Sequence, residues 1–125
     1  MQITFLESEN GIKLTKRHTA AGSIPYPHVK NVTSHEHQIT ADATGLAHLE
    51  DLIRTHGDQG HCMMKGNLKR HIENTSRAGK TNKQEPSALL VLDVDGLTLP
   101  NYIAPKTFTA DNVKTLAKSV LRELD

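Results

Sequence analysis

The apolar residues of two segments recur at the spacing of an α-helix, and the first of these segments covers residues 44–56. Its aliphatic residues lie three or four positions apart, which places them on one helix face: Leu46, Leu49, Leu52 and Ile53. Asp42 or Thr44 suits the N-cap, because a short polar side chain there accepts a hydrogen bond from a free backbone N–H. Gly57 is a suitable end for the helix.

The second helical pattern begins at Thr109 and runs to the end of the sequence. Asp111 lies in its first turn, where a negative charge is favourable. Its apolar residues form one continuous stripe: Val113, Leu116, Ala117, Val120, Leu121 and Leu124. The pattern predicts an amphipathic helix that packs one face against a core.

The strand signals lie before and between these helices. Residues 2–18 favour a hairpin, because apolar residues alternate on both sides of the turn pair Asn10-Gly11. Residues 29–39 and 61–65 predict two further short strands. Residues 88–94 are continuously aliphatic and predict a buried strand.

The remaining segments predict loops. Residues 22–27 contain two prolines and a glycine, and residues 66–87 are polar and too long for an ordinary connector. The order of elements predicts an α+β fold, with a mixed or antiparallel sheet and two flanking helices. The length of 125 residues suits a single domain or the N-terminal portion of one.

The composition points to an intracellular protein without a membrane segment. The single cysteine, Cys62, excludes an internal disulfide and fits a reducing compartment. The sequence contains neither an apolar run long enough to span a bilayer nor a secretory signal. We therefore expect a cytoplasmic location.

The charge is unevenly distributed, although the net charge is only +1. Residues 65–83 contain six basic residues and one acidic residue, whereas the rest of the chain contains nine and thirteen. A flexible basic loop suits phosphate groups, because Lys and Arg donate hydrogen bonds to phosphate oxygens. A solvated surface loop is the alternative. The candidate phosphate or nucleic-acid contacts are Lys65, Lys69, Arg70, Arg77 and Lys80.

Two aspartates end the most hydrophobic run of the chain. In a strand, Asp93 and Asp95 point to the same side, so their ionised carboxylates repel each other. Mg²⁺ or Mn²⁺ relieves this repulsion, and a pair of such ions supports phosphoryl transfer. A plain Asp-x-Asp-Gly turn is the alternative explanation.

Two histidine patterns offer further chemistry. His35 and His37 would lie on one strand face and could ligate a metal, but no third ligand is identifiable, and structural histidines are the alternative. His61 and Cys62 would point to opposite faces, which excludes a hydrogen-bonded nucleophile pair. Cys62 is expected to be a small core residue on the same face as Met64.

Three short segments carry a resemblance to a known family: HCMMKGNL (residues 61–68), SRAG (residues 76–79) and LLVLDVDG (residues 89–96). Together they resemble the N-terminal region of phage- and plasmid-type primases and primase-polymerases of the archaeo-eukaryotic primase superfamily. The first catalytic motif of that family is a hydrophobic strand that ends in Asp-hydrophobic-Asp. The resemblance implies that Asp93 and Asp95 bind the catalytic Mg²⁺ or Mn²⁺ of a nucleotidyltransferase.

The resemblance also sets expectations for function and partners. It implies metal-dependent synthesis of phosphodiester bonds in DNA replication, with nucleoside triphosphates and a single-stranded template as partners and without a membrane. A helicase domain that follows in the full-length protein is consistent with the family. The family's Ser-x-His motif and its later acidic residue do not follow Asp95, so a fragment or a reduced relative is expected, incomplete as an enzyme by itself.

Two alternatives remain. The first is a fragment of a haloacid-dehalogenase-like phosphohydrolase, in which Asp93 would be the nucleophile and Asp95 the general acid. Leu97 stands where that family's motif has Thr or Val, and the residues that follow are too few for its later motifs. The second is a noncatalytic nucleic-acid-binding module whose aspartate pair forms a turn.

Overall fold

A computed structural model of the chain describes residues 1–83 and 110–123. The chain divides into two units, Met1–Val91 and Leu92–Asp125, which are described separately. The described part of the first unit contains five strands and one long helix: β1 Gln2–Ser8, β2 Arg17–Thr19, β3 Gly22–Ile24, β4 Val32–Gln38, α1 Ala43–Gln59 and β5 Cys62–Met63. The second contains α2, Ala110–Glu123.

The main sheet has three antiparallel strands in the order β4-β1-β5. In its register, Ile3 pairs with His37 and Phe5 with His35, while Leu6 pairs with Ser34 on one side and Cys62 on the other. Because side chains alternate along a strand, odd positions of β1 share one face and even positions the other. The described residues therefore form an α+β fold with a small antiparallel sheet.

Helix α1 packs on the face that carries the odd positions of β1. Ile3, Phe5 and Ile39 are buried there, and Leu49 and Leu52 of the helix pack against them. The predicted apolar stripe of the helix is wrong in part, because Leu46 is 68% exposed and Ile53 is 46% exposed. The buried positions of the helix, Gly45 and His56, continue the face of Leu49 and Leu52 instead.

The second face of the sheet is covered by the polar segment that follows β5. Leu6 and Val32 of the sheet form a buried cluster with Leu14, Met64, Leu68 and Ile72. Leu68 and Ile72 belong to the basic loop predicted over residues 66–87, of which residues 66–83 are described. This part of the loop is therefore anchored by two core residues.

The predicted hairpin over residues 2–18 is not formed. Asn10 and Gly11 adopt positive φ angles of 60° and 67°, as a tight turn requires, but within the 3-10 helix Glu9–Gly11. Both edges of β1 are already paired, with β4 and β5, so no edge remains for a returning strand. The chain forms a separate small hairpin of β2 and β3 instead, which includes the first residues of the loop predicted at 22–27.

The ends of α1 follow local chemistry. The prediction of Asp42 as a candidate N-cap is confirmed, since its carboxylate accepts a hydrogen bond of 2.8 Å from the backbone N–H of Gly45. The helix ends at Gly60, not at Gly57 as predicted. Gly60 adopts a left-handed conformation with φ 81°, and its N–H donates to the carbonyl of Gly57.

Helix α2 begins close to its predicted start, with Asp111 in the first turn. Of its predicted apolar stripe, Ala117 and Leu121 are exposed in the structure, and Leu121 is 60% exposed. Within the described ranges, neither helix is long and apolar enough to cross a membrane.

Candidate functional site

The aspartate pair predicted to bind metal lies outside the described residues. Asp93 and Asp95, together with the strand predicted over residues 88–94, fall in the interval from 84 to 109. The structure does describe the basic residues predicted to contact phosphate, and it places two of the five, Lys65 and Arg77, around one opening.

That opening, called the basic cavity below, lies on the sheet face that carries Leu6 and has a volume of about 900 Å³. Its lining combines residues of the buried cluster around Leu6 with three basic residues, Lys30, Lys65 and Arg77. Tyr26, which is 43% exposed, lies at the same opening. The cavity therefore combines an apolar lining, positive charge and one aromatic ring.

The segment after β5 builds one side of the basic cavity. Its backbone is tied to the sheet through Thr75, which exchanges hydrogen bonds of 3.0 and 3.2 Å with Val32. Leu68 pairs with Thr81 as a second isolated bridge, and the Lys80 ammonium donates to the Thr75 hydroxyl at 3.0 Å. These contacts hold the intervening turn with Arg77 at the cavity.

The five predicted phosphate contacts separate in the structure. Lys65 and Arg77 line the basic cavity, whereas Lys69 lines a neighbouring cavity of about 600 Å³. Arg70 is exposed and lines neither, and the ammonium of Lys80 is engaged by Thr75. Sequence reasoning missed Lys30 and Tyr26, which precede β4 and are far in sequence from the basic loop.

Cys62 also lines the basic cavity. It is half-buried and packs against the cluster that contains Leu6 and Met64, as predicted. Burial raises the pKa of its thiol, and the positive charge of Arg77 opposes that shift. Cys62 therefore contributes a neutral thiol to the lining of the cavity.

A cluster of four histidines and one glutamate, called the histidine cluster below, lies on the opposite face of the sheet. Its members come from two strands, the end of the helix and the residue before β5: Glu7 on β1, His35 and His37 on β4, His56 on α1, and His61. The ring of His56 stacks on Phe5, with centroids 4.1 Å apart and planes at 11°. The histidine cluster is thus continuous with the hydrophobic core.

Hydrogen bonds connect three of these imidazoles in a row. His56 Nε2 lies 2.9 Å from His37 Nε2, and His56 Nδ1 lies 2.8 Å from His61 Nδ1. Burial, together with the neighbouring His37 and His61, lowers the pKa of His56 to about 4. A neutral His56 has one donor and one acceptor nitrogen, so it donates to one neighbour and accepts from the other.

The other end of the cluster has a composition suited to a metal. Glu7 Oε2 lies 2.8 Å from His35 Nε2 and 3.9 Å from His61 Nε2. These three ligand atoms lie within 4.8 Å of one another, close enough for one metal ion to reach all three. The sequence indicated His35 and His37 as a pair, but the structure groups only His35 with Glu7 and His61.

The prediction that His61 and Cys62 point apart is borne out, since His61 joins the histidine cluster and Cys62 the basic cavity. The two candidate sites thus lie on opposite faces of one sheet. Comparison of the chain with protein-family models, with curated proteins and with solved structures gave no match in any of the three.

Proposed function

We propose that this chain is the N-terminal part of a DNA-replication primase-polymerase and that its basic cavity binds the phosphates and base of a nucleotide or single-stranded template. The described α+β fold would then be part of a primase-polymerase-like domain. Asp93 and Asp95 would hold Mg²⁺ or Mn²⁺ for nucleotidyl transfer, the role that the family resemblance implies for them.

The observation that carries this proposal is the composition of the basic cavity. Its volume of about 900 Å³ lies within the range of small-molecule sites. Three exposed basic residues line it, Lys30, Lys65 and Arg77, and they come from two segments that are distant in the sequence. Because a phosphate chain carries several negative charges, convergent Lys and Arg side chains favour it over a neutral ligand.

The exposed ring of Tyr26 favours a nucleotide over a simple anion. Single-stranded nucleic acids bind through a positive groove combined with aromatic rings on which bases stack. Tyr26 is 43% exposed and lines the same cavity as the cations, as do the apolar residues Leu6 and Val32. Stacking tolerates any base, so the cavity supports binding without sequence selection.

Fluorescence anisotropy with a labelled single-stranded oligonucleotide tests the binding proposal. Each phosphate contact contributes about 0.7 to the slope of log affinity against log salt, so K65Q/R77Q should reduce the slope by about 1.4. The matched control is R54Q, which removes an exposed Arg paired with Glu50 at 3.0 Å on α1. A loss in R54Q of about half that in K65Q/R77Q, which is the same loss for each charge removed, would show that only net charge matters and would contradict the proposal.

Primer synthesis separates the enzyme from a noncatalytic binding module. In the full-length protein, D93N and D95N should each abolish primer synthesis while single-strand binding persists. Activity that survives both substitutions would refute the catalytic role of the pair. Hydrolysis of phosphate monoesters that depends on Asp93 would favour the haloacid-dehalogenase-like alternative instead.

A further inference from the structure

We propose that Glu7, His35 and His61 form a site for a divalent transition metal, with Zn²⁺ as the reference ion, and that one coordination position stays open to solvent. This site is distinct from the carboxylate pair implied for Mg²⁺ or Mn²⁺. It does not depend on the proposed function, because it lies on the opposite sheet face from the basic cavity.

The sheet topology explains why these three side chains meet. Glu7 lies on the central strand, and the paired register places His35 two positions diagonally across on β4. Continuing the pairing of Leu6 with Cys62 by one step places His61 directly opposite Glu7 on the other side. The carboxylate therefore lies between imidazoles that come from both neighbouring strands.

The ligand types favour a transition metal over Mg²⁺ or Ca²⁺. Two imidazoles and one carboxylate are typical of Zn²⁺ and Fe²⁺ sites, whereas Mg²⁺ and Ca²⁺ prefer oxygen ligands alone. In a tetrahedral zinc site the ligand atoms lie about 3.4 Å apart. The observed distances from Glu7 Oε2 to the two imidazole nitrogens, 2.8 and 3.9 Å, bracket that value.

The outer contacts match those of a metal-ligating histidine. Such a histidine usually donates its second N–H to a fixed acceptor, which sets its tautomer. With metal on Nε2, His61 donates from Nδ1 to His56 Nδ1, at 2.8 Å. His56 then donates from Nε2 to His37 Nε2, at 2.9 Å. This assignment gives the two hydrogen bonds of the row one consistent direction, with the proton of His56 on Nε2.

Exposure indicates where the open position lies. The side chain of His61 is 10% exposed, while those of His35 and Glu7 are 35% and 44% exposed. The site is therefore anchored on the buried side and reached by water from the other. Three protein ligands with a solvent position are the pattern of catalytic zinc sites, whereas structural sites have four.

Titration of the chelator-treated full chain with Co²⁺ and Zn²⁺ tests this site. We expect one equivalent of Co²⁺ with visible absorption bands, displaced by Zn²⁺. E7Q and H35N each remove a direct ligand, so each should lose at least the roughly 10- to 100-fold in affinity that the loss of an outer contact costs. Azide should shift the Co²⁺ bands, because it replaces the open solvent ligand. Both substituted residues are half-exposed, so the variants should fold, which circular dichroism checks.

The matched control is H71N. His71 Nδ1 and Glu36 Oε2 form a similar pair at 2.9 Å on the other sheet face, and no third ligand accompanies them among the described residues. This variant should bind Co²⁺ like the unsubstituted protein. An absence of Co²⁺ bands, or affinities in E7Q and H35N within about twofold of the unsubstituted protein, would overturn the proposal. Broadening of the His35 and His61 ring signals by Co²⁺ tests it without any substitution.

Discussion

Acidification should destabilise the metal-free protein well above the pH at which carboxylates titrate, because His56 must take up a proton. Its pKa is lowered from 6.5 to about 4 in the folded chain, first by burial and then by His37 and His61. The unfolded chain therefore binds more protons between these pH values, and stability rises with pH in that window. The stability that depends on a neutral His56 is fully present above pH 6.5 and is lost as the pH falls toward 4.

The size of the effect follows from the two pKa values. Protonation of His56, which is only 7% exposed, should lower the free energy of unfolding by about 2 kcal/mol between about pH 7.5 and pH 5. His37 and His61 act in the same direction, since burial lowers their pKa values too. The facing charge of Glu7 opposes the shift at His56 and at His61.

Urea unfolding with a chelator present, at both pH values, measures this difference. The lower pH stays above the range in which Glu36 and Asp42, whose pKa values are lowered, lose their contribution. A variant at an exposed histidine, H28Q, should keep the full pH dependence. Equal stability at the two pH values, or greater stability at pH 5, would refute the reasoning.

Two pairs of substitutions test the packing through unfolding free energies. G60A should cost about 1–3 kcal/mol, because Gly60 is left-handed and an added Cβ would lie 2.5 Å from Lys13 Cγ. G57A, where an added Cβ meets nothing within 4 Å, should stabilise the helix by up to about 1 kcal/mol. If G57A and G60A changed the unfolding free energy in the same direction, the assigned helix end would be contradicted. T4V should stabilise by about 1 kcal/mol, since the buried Thr4 hydroxyl has no hydrogen-bond partner within the described part of the chain. S34A should destabilise by about 1–3 kcal/mol, because that hydroxyl accepts from the Ile72 N–H, and equal effects of T4V and S34A would contradict this accounting.

In the first unit, local sequence signals predicted helix caps and turn residues better than they predicted which strands pair and which helix face is buried. The N-cap at Asp42 depends on neighbouring residues and appears in the structure. Asn10 and Gly11 adopt the positive φ angles of a tight turn, but within a 3-10 helix. The prediction of the hairpin failed because strand pairing depends on residues that are distant in the sequence, and β1 lies between β4 and β5. The stripe of α1 was partly misassigned because its buried face includes Gly45 and His56, which a hydrophobic pattern does not count.

The candidate sites could be predicted only where their residues are close in the sequence. Lys65 and Arg77 share one basic segment, so charge patterning identified them, whereas Lys30 and Tyr26 reach the same cavity from another segment. In the metal group, Glu7, His35 and His61 are brought together by sheet register alone. A lone glutamate in a strand carries no local signal of this kind.

The central claim is that the basic cavity binds a nucleotide, and NMR titration of the labelled chain with a nucleoside triphosphate tests it most directly. The account predicts shifts of the backbone signals of Lys65, Arg77 and Gly79, together with the ring of Tyr26. The signals of α1 around Arg54 should not move. Absence of shifts at saturating nucleotide, or shifts confined to residues outside the cavity, would contradict the claim.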